Sequence, residues 1–167
     1  IDKNVFTEKG PHYKGVYMDE ENEKYYVDFR VVVYLREPAA TFTVTDRPDY
    51  ALSFQTAPAA PTLEGVDYSE DFLNNDISTV ELTALTGANA PTVTSTINAD
   101  KHNVITVTAP AGQMLQPGAY HLRVPADITG AVASTLEKSY PQTYCNTAFL
   151  TSVDGQPTNE NQYFKQP

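Results

Sequence analysis

One stretch of the sequence concentrates oxygen-bearing side chains of the kind that bind metal ions. Six residues within ten positions carry a carboxylate or an amide: Asp67, Glu70, Asp71, Asn74, Asn75 and Asp76. Carboxylate and amide oxygens are the ligands that calcium prefers. Their order does not follow the EF-hand pattern, so only the density of donors supports a calcium site. Calcium is the single cofactor that the sequence suggests, and the competing interpretation is an ordinary solvated acidic loop.

Tyrosine is the second residue type that points to a ligand. Extracellular modules that bind glycans stack sugar rings on aromatic side chains, and the chain has 11 Tyr but no Trp, which is the best stacking residue. The candidates for such a platform are Tyr13, Tyr17, Tyr25, Tyr26, Tyr34 and Tyr68. The alternative, which the absence of Trp favours, is that these rings are half-buried strand residues.

No motif for catalysis is recognisable in the sequence. His12, His102 and His121 each stand alone, without the spacing of a zinc site, and we expect all three to face solvent. Neither a glycine-rich phosphate loop nor a Gly-X-Ser-X-Gly elbow is present. The one cysteine, Cys145, lies in a strand-like segment and is expected to be a buried, unreactive thiol. We therefore predict that the protein is not an enzyme.

The charge of the chain excludes some classes of partner. The formal net charge is −10, and the 11 Lys and Arg residues are scattered. Phosphate binding needs clustered cations, so we expect neither a nucleic acid nor an anionic membrane surface, and we favour a protein partner over a glycan. No apolar run has the length of a membrane-spanning helix, so membrane insertion is not expected. A chain that begins at Ile1 fits a processed exported protein or a trimmed fragment.

Apolar and polar residues alternate in several short segments rich in β-branched and aromatic residues. The strongest is 25–35, whose continuously apolar second half predicts a central strand covered on both faces. Residues 13–18 precede it across a short polar loop, which predicts a hairpin. Residues 41–45 alternate cleanly, with Phe42 and Val44 on one face and threonines on the other.

A second hairpin is predicted from residues 92–97 and 104–108, which alternate on either side of a polar loop. Further strands are predicted at 50–55, 77–85, 119–125 and 143–153, and one short helix at 131–138. A total of about nine or ten short strands is typical of an antiparallel β-sandwich. We therefore predict a single all-β domain over 1–167, with an extended N-terminal arm at 1–9 and a polar C-terminal tail at 154–167.

Residues 115–126, Leu-Gln-Pro-Gly-Ala-Tyr-His-Leu-Arg-Val-Pro-Ala, resemble a segment common in Ig-like modules of secreted and surface bacterial proteins. In those modules a Pro-Gly turn leads into a Tyr-centred strand that closes the sandwich. Here Gly118 would permit the tight turn, while Tyr120, Leu122 and Val124 fall on one face of the strand. The resemblance implies an Ig-like sandwich on a bacterial surface and assigns no functional residue.

These observations favour a structural or adhesive module of a bacterial cell surface, either a fibre or pilus-like subunit or an Ig-like unit of an envelope protein. One mechanism is strand exchange, in which residues 1–9, anchored by Val5 and Phe6, add to an open sheet edge of a neighbour. The alternative is an extracellular carbohydrate-binding module that uses the tyrosines and a calcium-loaded acidic loop. A viral capsid or tail protein has a similar composition.

Overall fold

Strands dominate the computed structural model, which describes residues 17–48, 52–77, 79–130 and 147–158. The nine strands of these ranges are β1 Tyr17–Asp19, β2 Lys24–Leu35, β3 Thr41–Arg47, β4 Thr62–Asp67, β5 Thr92–Ile97, β6 Asn103–Thr108, β7 Gly118–Asp127, β8 Thr147–Val153 and β9 Gln156–Pro157. A short 3-10 turn, Gly87–Asn89, precedes β5. The predicted all-β class is confirmed.

The strands form two antiparallel sheets. One has four strands in the order β1-β2-β7-β4, and the other has five in the order β5-β6-β3-β8-β9. In the first sheet β2 and β7 pair without interruption, from Tyr26 opposite Asp127 to Leu35 opposite Gly118. The hairpin predicted for 92–97 and 104–108 is present as β5 and β6, and the described part of the first predicted hairpin is β1 with β2.

Apolar side chains from both sheets meet in one hydrophobic core. Alternation along β3 buries Phe42 and Val44 completely. The ring of Phe42 packs edge-on against the ring of Tyr120 in β7, with centroids 5.5 Å apart. The same core includes side chains of β2, β6 and β8. Because full burial of one such side chain is worth about 3 kcal/mol, contacts of this kind hold the two sheets face to face.

The two central strands of the four-stranded sheet are buried on both faces. In β2 every residue from Val27 to Leu35 is buried except Val32, which confirms the prediction for its apolar half. In β7 every residue is buried except Arg123. Side chains on the outer face of this sheet are therefore also withdrawn from water, and several of them are charged.

Gly118 is required by a close approach between strands. A Cβ atom at this position would lie 2.7 Å from the backbone oxygen of Asp67 and 2.9 Å from the side chain of Val66, both in β4. Gly118 is itself the first residue of β7. The sequence predicted a glycine for the turn that precedes the strand, but the structure uses it to let β4 and β7 pack closely.

Two segments predicted as strands, 50–55 and 77–85, are not strands in their described residues. They contain only isolated bridges, at Ser53 and at Thr83. The alternation in the first segment reflects burial, because Leu52 contributes to the core without belonging to a ladder. An alternating pattern shows which side chains are buried. It does not by itself show that the backbone pairs with another strand.

Several sequence predictions fall on residues that the structure does not describe. These are the N-terminal arm 1–9 with Val5 and Phe6, His12, Tyr13, the helix at 131–138 and Cys145. Of the strand predicted at 143–153, Thr147–Val153 is β8. Of the tail predicted at 154–167, Gln156–Pro157 is not irregular but forms β9 against β8.

Candidate functional site

The outer face of the four-stranded sheet carries a buried ion pair. Alternation along β2 turns Asp28 away from the core, and its side chain is completely buried there. The Nε atom of Arg123 in β7 donates a hydrogen bond of 3.0 Å to one carboxylate oxygen of Asp28, and the Tyr17 hydroxyl of β1 donates one of 3.3 Å to the other. Burial, together with the charge of Asp28, raises the pKa of Tyr17 to about 12. This cluster ties three strands together, and its carboxylate is already engaged.

His121 lies on the same outer face and contradicts the prediction that it faces solvent. Its side chain is opposite the core-facing Tyr120 and Leu122, as alternation requires, but the residue is only 1% exposed. Burial, and to a smaller extent the nearby Arg30 cation, lower the pKa of His121 to about 4, while Asp67 opposes the change. Its Nδ1 atom has no hydrogen-bond partner among the described residues. His121 is therefore a neutral, buried imidazole at neutral pH.

The covering of this face comes from the segment that connects β4 with β5. Arg30 of β2 donates a hydrogen bond from Nη1 to the carbonyl of Ile77 in that segment. Thr83, further along the segment, pairs with Val66 at the edge of β4. These two contacts fold the connection back against the sheet that carries His121, and no local pattern in the sequence signals them.

Asp67 closes the start of the same connection and is not a free metal ligand. One carboxylate oxygen accepts hydrogen bonds from the backbone nitrogen of Ser69 at 2.9 Å and from its hydroxyl at 2.6 Å. The other accepts one of 2.7 Å from the Asn75 amide. Burial alone would raise the pKa of Asp67, but these hydrogen bonds outweigh it, so that the pKa lies below its usual value.

The residues predicted to bind calcium do not come together as a metal site. Glu70, Asp71 and Asp76 are exposed, whereas Asp67 is buried in the loop contacts just described. Within the described ranges, no three His, Cys, Asp or Glu side chains are placed to share a metal ion. In the structure the acidic stretch is a loop that the Asp67 carboxylate holds closed.

The same loop-closing arrangement occurs a second time, after β7. One oxygen of Asp127 accepts hydrogen bonds from the backbone nitrogen of Thr129 at 2.8 Å and from its hydroxyl at 2.5 Å. The other accepts one of 2.6 Å from Thr56. In both places an Asp-X-Ser/Thr sequence starts at the last residue of a strand. This short pattern is typical of Asx and ST turns and could have been recognised in the sequence.

The described tyrosines of the predicted platform do not lie together on one surface. Tyr17 and Tyr26 are cross-strand neighbours, with ring centroids 5.7 Å apart. Tyr25 points to the opposite face, where it packs against the core. Tyr68 lies at the other end of the sheet, roughly 25 Å along β2 by the usual rise per residue, with its ring edge against Tyr120. The described tyrosines therefore supply one pair and one separate ring. Tyr34, also considered for the platform, is buried.

An open depression of about 660 Å³ adjoins the loop that Asp67 closes. Tyr68, which is 39% exposed, forms part of its wall. The polar side chains of Asn75, Glu81 and Thr83 and the apolar side chains of Val80 and Leu82 line other parts of it. An aromatic ring beside polar groups in a shallow depression is suited to a sugar, although only one ring is present.

The outer face of the five-stranded sheet is a ladder of threonine side chains. Hydroxyl oxygens of neighbouring strands lie 3.1 to 3.2 Å apart in three pairs: Thr41 with Thr108, Thr43 with Thr106, and Thr45 with Thr151. The register continues these rows into β5, where Thr92 lies opposite Thr108 and Thr94 opposite Thr106. Threonine is a strong strand former, and cross-strand Thr pairs stabilise a sheet. The rows are uncharged.

This ladder ends at β5, the edge strand of the five-stranded sheet. The edge of β5 that points away from β6 pairs with no described residue. The strand Thr-Val-Thr-Ser-Thr-Ile has six residues, with no charge and no proline, and its register with β6 has no bulge. Two other sheet edges are protected: β9 has two residues including Pro157, and β4 has a bulge and the bridge to Thr83. Natural sheets protect open edges by such devices, and within the described ranges β5 has none of them.

Sequence reasoning predicted the β5–β6 hairpin but missed that its first strand ends a sheet. The available signal was the absence of Lys, Pro or Glu from an alternating segment of strong strand formers.

Among the described residues, no helix has the length and apolar character needed to cross a membrane. The chain matches no protein-family model, no curated protein and no solved structure.

Proposed function

We propose that this chain is a non-enzymatic structural or adhesive module of a bacterial cell surface, folded as an Ig-like β-sandwich and assembled by adding a strand at an open sheet edge. The observation that carries the proposal is the free edge of β5, along which no described residue pairs. An uncharged edge of this length without a bulge is an aggregation site unless a partner occupies it. Main-chain pairing at such an edge supplies affinity without requiring a pocket.

The remaining contacts support a structural role over a catalytic one. The buried Asp28 carboxylate is bound by Arg123 and Tyr17, and the Asp67 carboxylate by Ser69 and Asn75. Polar groups that are fully engaged inside a fold rigidify it. The uncharged threonine face likewise suits an extracellular module that packs against others of its kind.

The proposal is tested by adding charge to the β5 edge. In the Thr94→Lys/Thr96→Lys variant both new side chains stand on the exposed face of β5. The matched control is Thr108→Lys/Thr151→Lys, which adds the same charge on the same face but in β6 and β8, strands with neighbours on both sides. Light scattering over a range of protein concentrations should show assembly for the unchanged chain and the control, and monomers for the β5 variant. Monomers in all three would contradict the proposal.

The donor strand predicted from the sequence is residues 1–9 with Val5 and Phe6 as anchors, and it remains a prediction. Deleting these residues should abolish assembly and preserve the fold if the arm is what fills the edge of a neighbour. An unchanged mass after the deletion would exclude the arm as donor and leave the edge itself in question.

A second candidate function is glycan binding at the depression beside Tyr68. The observation that favours it is an exposed aromatic ring next to Asn75 and Glu81 in an open cavity of about 660 Å³. A glycan array should then give a saturable ligand whose binding is lost in Tyr68→Ala and kept in Tyr26→Ala, at the distant tyrosine pair. A blank array across plant, host and bacterial sugars would contradict this function.

A further inference from the structure

We infer that the partner strand at the β5 edge is the β5 of a second copy, paired antiparallel across a two-fold axis at Ser95. This inference rests on the proposed function, since it names the occupant of the same edge. The two five-stranded sheets would join into one continuous sheet of ten strands, with the threonine ladder running across both.

The hydrogen-bond pattern fixes which residues of β5 present their backbone outward. The Ala109 nitrogen donates a hydrogen bond of 2.8 Å to the Ala40 oxygen, just beyond the paired strands β3 and β6. Hydrogen-bonded and non-bonded pairs alternate along an antiparallel ladder. Counting back from Ala109, the backbone N–H and C=O groups of Val107 and Ile105 therefore bond to β3. Those of Thr108, Thr106 and Val104 point the other way and bond to β5. In β5 the bonded partners are then the threonines, and the amide and carbonyl groups of Val93, Ser95 and Ile97 point to the open side.

An axis at Ser95 uses all three outward-pointing residues. It places Val93 opposite Ile97 of the second copy and Ser95 opposite itself, which gives three bonded pairs and about six inter-chain hydrogen bonds. An axis shifted toward the start of the strand would bring Pro91 into the ladder, where it has no N–H to donate. Ser95 is therefore the centre that makes the pairing most complete.

In this register the side chains of one copy lie opposite side chains of the same chemical kind in the other copy, on both faces of the sheet. Val93 and Ile97 pack against the edge of the core, so their pairing joins apolar side chains of the two copies. On the outer face Thr94 would lie opposite Thr96, which repeats the threonine contacts seen between Thr43 and Thr106. Cross-strand pairs of both kinds are stabilising.

Electrostatics permit two chains of net charge −10 to meet at this edge. None of the residues from Thr86 to Ile97 is charged. The nearest charges, Asp100 and Lys101, lie in the loop after β5 and would face the uncharged turn at Gly87–Asn89 of the other copy. Along 86–101 this register therefore brings no like charges together. A six-residue strand buries less than the roughly 1,200 Å² of a standard interface, so the dimer is expected to be weak and concentration-dependent.

The first test removes one outward N–H group. Ser95→Pro leaves the β6 ladder intact, because the Ser95 nitrogen does not bond to β6, and proline is tolerated on an edge strand in this position. Ser95→Ala is the matched control, since it keeps the N–H and loses only the hydroxyl. In sedimentation experiments over a range of concentrations, the unchanged chain and Ser95→Ala should dimerise and Ser95→Pro should stay monomeric.

The second test reads the register by cross-linking, in a Cys145→Ala background. At the axis the two Cα atoms of residue 95 would be about 5.5 Å apart, within the range of a disulfide. Two copies of residue 92 would be roughly 20 Å apart by the rise per residue. Ser95→Cys should therefore form a covalent dimer on mild oxidation, and Thr92→Cys should not.

The outcomes separate this inference from the proposed function. Dimers that survive deletion of residues 1–9 and cross-link through Ser95→Cys support both. Assembly that is lost on that deletion, with no cross-link at position 95, overturns the inference in favour of the arm and leaves strand addition standing. A chain that stays monomeric at every concentration overturns both.

Discussion

Acidification should destabilise the protein through His121, between pH 6.5 and pH 4. In the unfolded chain the imidazole takes up a proton near its ordinary pKa of 6.5, whereas burial keeps the pKa of the folded residue at about 4. Stability is therefore complete above pH 6.5 and is lost as the pH falls through this window, because the unfolded state binds the proton first. One pKa unit corresponds to 1.36 kcal/mol, so the full loss is roughly 3 kcal/mol, most of it by pH 4.5.

The groups that face His121 define the controls for this prediction. Arg30 of β2 disfavours the protonated imidazole and Asp67 of β4 favours it. Asp67 and Asp127 have lowered pKa values, so their contributions to stability are lost only below the ordinary value of 3.8. Urea denaturation at pH 7.5 and pH 4.5 therefore isolates the histidine.

The assay compares the unchanged chain with His121→Gln, which cannot take up a proton at either pH. The unchanged chain should lose roughly 3 kcal/mol between the two pH values and the variant much less. If the variant does not fold, the ring resonances of His121 in the unchanged chain provide the same readout by NMR, with a midpoint near pH 4. Equal losses in both proteins, or a midpoint above pH 6, would refute the argument that burial keeps this imidazole neutral.

Three further substitutions test the packing. Asp28→Asn leaves the Arg123 guanidinium without its counter-charge. Because the Arg123 side chain is 28% exposed, urea denaturation should show a loss of about 2 kcal/mol, which is below the cost of breaking a fully buried pair. An unchanged urea midpoint would contradict this prediction. Gly118→Ala places a Cβ 2.7 Å from backbone oxygen and should cost about 1–3 kcal/mol in thermal unfolding; equal melting temperatures would show that β4 moves freely. Phe42→Ala should cost about 3–5 kcal/mol by the same assay, and a loss below 1 kcal/mol would exclude the contact between the sheets as a main source of stability.

Local alternation was enough to predict the strands that matter most. Residues 25–35 and 92–97 lie in β2 and β5 because β-branched residues there alternate or run continuously. Alternation also placed His121 on the correct side of β7, opposite Tyr120. It could not show what covers that side, because the covering segment is more than 30 residues away in sequence. Burial of an outer face depends on tertiary folding, and so does the pKa of a histidine placed there.

The candidate site was harder to predict than the fold. Asp67 was singled out for calcium because acidic residues crowd around it, but the deciding feature was its own Asp-Tyr-Ser sequence, which directs the carboxylate to Ser69. The open edge of β5 depends on sheet order, which a hairpin pattern does not determine. Local patterns specify pairing between neighbours in sequence, whereas the position of a strand within its sheet is set by contacts between distant segments.

The long pairing of β2 with β7 also governs how the chain must fold. The paired residues are roughly 80 to 100 positions apart in sequence, and such distant contacts form slowly because a large loop has to close first. Until β7 is available, the apolar run of β2 has no partner and is exposed to other chains. A polypeptide that ends before Gly118 would therefore lack the central pair of the four-stranded sheet. During synthesis β2 has to be protected until most of the chain has been made.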